Sequence, residues 1–519
     1  MVKEFRYDDV PVIETKAGKL KGYSFDGMYI FKGIPYAQAK RFQMPNEVEP
    51  WEGVKEVTSY GFVCPLMAQE KPTGELLVPH RYWPQDENCH NLNIWTETLD
   101  AKAKKPVLVW LHGGGFVAGS SIEQEAYDGF NMSREGDVVV VSVNHRLNIL
   151  GYMDLSPFGE KYANSANAGH ADIVAALKWI NENIARFGGD PENVTLFGQS
   201  GGGMKTTGLM QIPSANGLFH KAIVMSGVSD GKLMPIPSGD GTQIVTAMLE
   251  ALGIDVNDVE KLETVPYHEL VQAYNKVCPI VAQQGRYIGC MPMENDFYKG
   301  EPLLSGFTEH AKTIPMMVGS VIGEFSFAPL PFNKNELSYE EMKAILTKRF
   351  GERTQELIDL YVQAYPDKNA VDLLALDRIF RVPSKALAKL QADSQQAPAF
   401  LYNFTFEFPY QNGKTAWHCA DIPFVFHNTS KVEICNVPGV SDKLEKQVFG
   451  AVINFARTGN PNHEGLPHWT AVTAEDEATM IFDRTCEVRH NYDDALLALI
   501  EEVLPPFSLA ELFAQDIQH

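Results

Sequence analysis

Residues 194–203 read VTLFGQSGGG, an apolar run that passes without a spacer into a glycine-flanked serine and then into a stretch able to begin a helix. Such a junction tolerates almost nothing but glycine beside the serine, because side chains there would strike the neighbouring strand and helix. It therefore requires a strand embedded in a covered sheet. Further runs of the same kind occupy residues 91–95, 107–111, 138–143 and 222–225, continuous and rich in β-branched residues. Runs of this type suit strands buried on both faces. Ahead of the junction, Ile173, Ala176, Leu177, Ile180 and Ile184 follow a helical period that stops at Gly188 and Gly189. Strands alternating with helices predict an α/β fold with a mostly parallel central sheet.

Other segments decorate this core. The first sixty residues pattern as short strands around an Asp26-Gly27 turn, which predicts a small N-terminal antiparallel sheet. Amphipathic helical segments fill residues 240–310 and 335–395, interrupted by strand-like TIPMMVG at 313–319 and broken by Pro383. A strand at 399–404 and a helix around 443–457 return the chain to the core. No Pro-rich or Gly/Ser-rich linker separates these parts, so residues 1–519 are expected to form a single domain with helical insertions.

Charge and cysteine usage narrow the partners. With 44 basic against 66 acidic side chains the formal charge is -22, which would repel a phosphate backbone, so no nucleic acid partner is expected. The amino terminus has no apolar h-region and no unbroken apolar run approaches the roughly 18 to 20 residues of a bilayer span. A cytoplasmic location without a membrane partner is the expectation. The 7 cysteines are scattered, odd in number and without CxxC spacing, which predicts neither a disulfide framework nor a metal site. Asn-x-Ser/Thr triplets at Asn131, Asn193, Asn403 and Asn428 would matter only in a secreted chain.

Within the junction, Gly198-Gln199-Ser200-Gly201-Gly202 is a GxSxG pattern, and Ser200 is the candidate nucleophile. Upstream, the run at 107–111 leads into His112-Gly113-Gly114-Gly115-Phe116, a loop whose N–H groups are unhindered and can converge on one oxygen. The same glycines fit a degenerate dinucleotide fingerprint, but VAGSSIEQEAYDG is a poor opening for an amphipathic helix, and no cofactor is expected. A serine needs a base, usually histidine, and the base needs an orienting carboxylate. His418 can lie beyond the carboxyl end of the strand at 399–404, with His427 as the alternative. For the acid, Glu324 follows IPMMVGS in a strand-end loop; Glu294, Asp296 and Asp377 compete in the same interval, and Asp421 competes if the usual chain order fails.

Longer stretches carry a family likeness: FKGIPYA at 31–37, PVLVWLHGGGF at 106–116, NHRLNILGY at 144–152, NIARFGGDPENVTLFGQSGGG at 183–203, WHCADIPFVF at 417–426 and FARTGNPN at 455–462. Together these resemble the type-B carboxylesterase/lipase family, the cholinesterase-like α/β-hydrolases, and among them bacterial carboxylesterases of the para-nitrobenzyl-esterase type. The resemblance covers residues from about 10 to about 470. It implies an α/β-hydrolase fold and hydrolysis of small-molecule carboxylic esters without a metal or organic cofactor. It assigns Ser200 as nucleophile, Glu324 as acid and His418 as base, with Gly114, Gly115 and Gly201 as the oxyanion donors. It also implies a buried Arg41–Glu87 ion pair, and it matches Cys64 and Cys89 to a pair that secreted members often bridge. Two departures stand out: Gln199 replaces the usual Glu before the serine, and Gly201 replaces the usual Ala. Amidase, thioesterase or lyase chemistry at the same site, or a non-catalytic binding protein on the same scaffold, are the alternative functions.

Overall fold

A computed structural model describes residues 3–68, 74–232 and 238–505. The N-terminal runs form short strands: β1 (Phe5–Arg6), β2 (Ile13–Glu14), β3 (Lys19–Lys21), β4 (Tyr23–Phe25), β5 (Met28–Pro35) and β6 (Val54–Glu56). Strands β2, β3 and β6 make a small separate sheet, antiparallel in its β2–β3 hairpin and parallel where β6 joins β3. The hairpin at Asp26 and Gly27 does not stay in that sheet. Its strands β4 and β5 join the large sheet instead, because Met28 and Ile30 fill the core on one face while Phe31 and Ile34 fill the other. A strand that feeds both cores must lie in the plane between them.

The large sheet continues through β7 (Asn91–Thr96), β8 (Lys105–Leu111), β9 (Val139–Val143), β10 (Gly189–Gln199), β11 (Lys221–Met225), β12 (Met316–Val321), β13 (Ala399–Phe404), β14 (Ala478–Phe482) and β15 (Glu487–His490). Its order is β1-β4-β5-β7-β9-β8-β10-β11-β12-β13-β14-β15. Every pairing from β9 to β14 is parallel, and both flanks are antiparallel. Alternation along β8 sends Leu108 and Trp110 to one core and Val107, Val109 and Leu111 to the other. The α/β expectation holds.

Helices α1 (Phe130–Gly136), α2 (Asn148–Tyr152), α3 (Ala168–Asn183) and α4 (Gly201–Met210) lie between the central strands in sequence. In the first insertion, α5 (Thr242–Leu252) and α6 (Tyr267–Ala282) share a core of their own around Ile244, Leu249, Leu270 and Tyr274. The second carries α8 (Tyr339–Phe350), α9 (Thr354–Ala364) and α10 (Arg381–Ser394), after the single-turn α7 (Pro302–Ser305). Pro383 does not break a helix; it sits in the first turn of α10, where a missing N–H costs no hydrogen bond. After α11 (Ile422–Val425), the long α12 (Ser441–Thr458) packs Leu444, Val448 and Val452 into the core that holds Leu108 and Trp110.

Arg41 places its guanidinium on Glu87, with Nε 2.8 Å from Oε2, and also donates to the carbonyls of Leu262 and Val265 at 2.8 and 2.7 Å. The pair therefore fastens the first insertion as well as the N-terminal strands. Cys64 and Cys89 are free thiols, as are the other cysteines. No helix among the described residues is long and apolar enough to cross a membrane.

Candidate active site

Strand β10 ends at Gln199 and α4 begins at Gly201, so Ser200 alone makes the turn, with φ 57° and ψ -126°. This is a strained conformation for a residue with a side chain, and it holds because the turn is tied on both sides. The Ser200 N–H donates to the Met225 carbonyl at the end of β11 (2.8 Å), and the Ser200 carbonyl accepts from Met204 in α4 (3.1 Å). Close contact explains the glycines that follow: a Cβ on Gly202 would lie 1.9 Å from the Leu111 carbonyl oxygen at the end of β8.

The loop after β8 curls over this turn. Gly114 and Gly115 have φ of 81° and 61°, and the Gly114 carbonyl accepts from Val117 and Ala118 at 3.2 and 3.0 Å. Gly115 presses directly on the start of α4: a Cβ on Gly201 would stand 2.2 Å from the Gly115 oxygen and 2.5 Å from its nitrogen. The departure from Ala at position 201 thus has a steric reason. Gly201 also opens α4, where backbone N–H groups are not consumed by the helix. Gly113 packs directly on the turn, with its Cβ position 3.3 Å from the Ser200 Cβ.

His418 follows β13, and its Nδ1 lies 2.5 Å from Glu324 Oε2; its backbone N–H also donates to the Glu324 carbonyl. Glu324 is 1% exposed, just beyond β12, and its Oε1 accepts from the Val321 N–H at 3.0 Å. The competing candidates are engaged elsewhere. Asp377 accepts from the N–H groups of Ile379, Phe380 and Arg381 at the start of α10, and Asp421 accepts from the Tyr402 hydroxyl at 3.0 Å. Glu294 lies beside Gly300, Asp296 is on the surface, and His427 faces Glu445 at 3.5 Å.

Burial pushes the His418 imidazole down to about 4, against the carboxylates of Asp421 and Asp377, which act to raise it. The ring is therefore neutral at neutral pH, the form in which an imidazole can accept a proton. Burial also raises the Glu324 carboxyl, while Ser226 and the Val321 N–H act to lower it.

Further residues surround His418. The Gln199 amide lies 3.2 Å from His418 Nε2 and 3.3 Å from Nδ1. Its oxygen accepts from the Cys419 thiol (3.3 Å), which in turn lies 3.7 Å from the Gln124 amide nitrogen. Phe325 and Phe380 lie against the imidazole, with centroids 4.6 and 5.5 Å away. With Phe116, Met204 and Ile379 they form an apolar wall. Gln199 beside the serine and Phe116 at the end of the glycine loop stood in the sequence motifs, and Phe325 follows Glu324; Met204, Ile379 and Phe380 converge from separate elements. Elsewhere, the carboxylates of Glu477, Asp493 and Asp494 lie close enough to hold a cation, but Arg381 and Lys385 already pair with them.

A family model described as "Carboxylesterase family" matches residues 9–499. The chain is 33% identical over 492 residues to the para-nitrobenzyl esterase of Bacillus subtilis (strain 168), covering 92% of this chain and 96% of that protein. It is 31% identical to the phenmedipham hydrolase of Pseudarthrobacter oxydans, covering 91% and 94%. Among solved structures, an esterase from anaerobic Clostridium hathewayi that can hydrolyze aliphatic aromatic polyesters is 61% identical, with a TM-score of 0.95, covering 97% of this chain and 100% of that one.

Proposed function

The chain belongs to the carboxylesterase family and is a carboxylic ester hydrolase, and we propose that Ser200, His418 and Glu324 carry its chemistry. The 2.5 Å contact between His418 Nδ1 and Glu324 Oε2, at a site that also gathers the strained Ser200 turn, is the observation that supports this assignment. With the Nδ1 proton directed at Glu324, Nε2 carries the lone pair; it faces the Gln199 amide nitrogen at 3.2 Å and must exchange that contact for the Ser200 proton as the hydroxyl oxygen attacks the ester carbonyl. The negative charge that develops on the carbonyl oxygen falls to the N–H groups of Gly114, Gly115 and Gly201. Collapse expels the alcohol, which takes its proton from His418 Nε2, and leaves an acyl group on Ser200. Water then attacks, with His418 again as base, and frees the acid.

The substrate side follows from the wall. Phe325, Phe380, Phe116 and Met204 offer polarizable surface, which favours an ester with an aromatic ring next to the scissile bond. The polyester activity of the Clostridium hathewayi relative agrees with this reading. Localisation in a reducing compartment fits the free thiols of Cys64 and Cys89.

The test combines trapping and turnover. A serine-directed phosphonate should leave one adduct on the peptide holding Ser200, and Ser200→Ala should lose at least about 10⁴-fold in kcat. Turnover by purified, folded Ser200→Ala would overturn the assignment. Higher kcat/KM for bis(2-hydroxyethyl) terephthalate than for a short aliphatic diester is expected; the reverse order would remove the aromatic preference.

A further inference from the structure

Helix α4 reads GGGMKTTGLM, and every one of its residues is buried, including Lys205 at 0% exposure. A lysine in such a place meets a large desolvation cost and needs a reason to be there. Its Nζ donates to the carbonyl oxygen of His112 at 3.0 Å. That carbonyl belongs to the residue between the last residue of β8 and the three consecutive glycines that follow it.

The surroundings make this hydrogen bond the point at which the lysine acts. His112 from the loop and His145 from the segment after β9 stack on each other with centroids 5.1 Å apart. Each directs Nδ1 at a neighbouring carbonyl, of Gly113 at 2.9 Å and Arg146 at 2.8 Å. Burial first, and the Lys205 charge second, hold both rings well below the usual imidazole range, so both are neutral. His170 on α3 is lowered to about 3 by the same two causes. Burial brings Lys205 itself down to about 7, while Glu123 and Cys64 act to raise it. None of these groups replaces the contact to the loop.

We propose that Lys205 is a positioning residue for ester hydrolysis: by holding the His112 carbonyl it fixes the His112–Gly113 peptide unit, the base from which the next two peptide units present the N–H groups of Gly114 and Gly115 to the oxyanion. Near its start the loop is also held by the contact of His112 Nδ1 on the Gly113 carbonyl, within the loop itself. The turn at Gly114 is closed by Val117 and Ala118, and its far end by the Asn148 N–H on the Phe116 carbonyl (2.7 Å). Lys205 supplies an anchor at the near end from the helix that carries Gly201. One side chain thereby couples donors contributed by two separate elements. Lys205 does not touch the reacting atoms.

This inference rests on the oxyanion role given above to the three glycines. Two substitutions separate the hydrogen bond from packing: Lys205→Met keeps the length and removes the donor, and Lys205→Gln keeps a neutral donor. With p-nitrophenyl butyrate, Lys205→Met should lower kcat by about 10 to 100-fold, below the roughly 100 to 1,000-fold loss of a whole oxyanion donor. KM should stay within about threefold. Affinity for a trifluoromethyl ketone, whose adduct carries the oxyanion, should fall in parallel with kcat/KM, and Lys205→Gln should recover most of both. Equal losses in Met and Gln, or a Lys205→Met enzyme within threefold of wild type in both readouts, would overturn the proposal. Ser200→Ala assayed alongside tells the two readings apart: if it is dead while Lys205→Met is unimpaired, only the Lys205 role fails, and if it turns over, both fail.

Discussion

Single residues shape the candidate site, and two of them, Gly201 and Gln199, depart from the family pattern. Gly201 is pressed against Gly115, so Gly201→Ala, although it installs the usual residue, must displace the donor loop. A fall in kcat of about tenfold or more with a smaller change in KM is expected from steady-state kinetics if, as proposed, these N–H groups serve the oxyanion, because misplaced donors act on the transition state. Gln199 touches both nitrogens of His418. In Gln199→Glu the added carboxylate would favour the imidazolium, raising the His418 value by about one unit or more. The protonated ring cannot act as base, so activity should be lost at higher pH than in wild type as the solution is acidified. A kcat/KM profile from pH 4 to 8 checks this, with an unmoved acid limb as the contrary result. Ser200 was legible because a nucleophile on a tight turn needs glycines at fixed offsets. Among the histidines and carboxylates after it, local pattern left His418 beside His427 and Glu324 beside Asp377, since any solvated loop can carry such residues. The family likeness favoured His418 and Glu324, and their hydrogen bond became visible only when β12 and β13 were adjacent.

At the level of elements, strands buried on both faces were readable from composition alone, as at 399–404, where the expected and observed bounds agree. Where local pattern misled, tertiary packing had overridden it. The β4–β5 hairpin joined the large sheet because its residues supply both cores, and β10 runs back to Gly189 through a register shift against β8. Elements are also held by contacts that no local pattern announces. Arg41 is 7% exposed at its side chain and carries Glu87 and two carbonyls from the segment after α5. Arg41→Met would leave those acceptors without a donor, at a cost of about 2 to 4 kcal/mol, nearer the lower figure because Glu87 is partly solvated. Chemical denaturation should show a lower midpoint, and limited proteolysis should cut first within 255–266; unchanged values in both would contradict the anchoring role.

For the whole molecule, one sheet threads from the N-terminal strands to β15, with a separate core under α5 and α6. We propose that these parts unfold together as one domain. Trp95, Trp110, Trp417 and Trp469 report on the sheet's core, whereas far-ultraviolet circular dichroism also reports on the inserted helices. Coincident urea transitions by the two probes are expected, and an earlier loss of helix signal would divide the chain into two units. The sequence by itself determined the α/β class, the central strands, the glycine-flanked serine turn and the glycine-rich loop, because periodicity, β-branching and glycine are constraints that neighbours along the chain impose. Only the tertiary structure decided which carboxylate meets His418, why Gly201 cannot be Ala without a shift, and what the lysine inside α4 touches. Those answers depend on distances between residues scores of positions apart, which packing sets and local pattern does not encode.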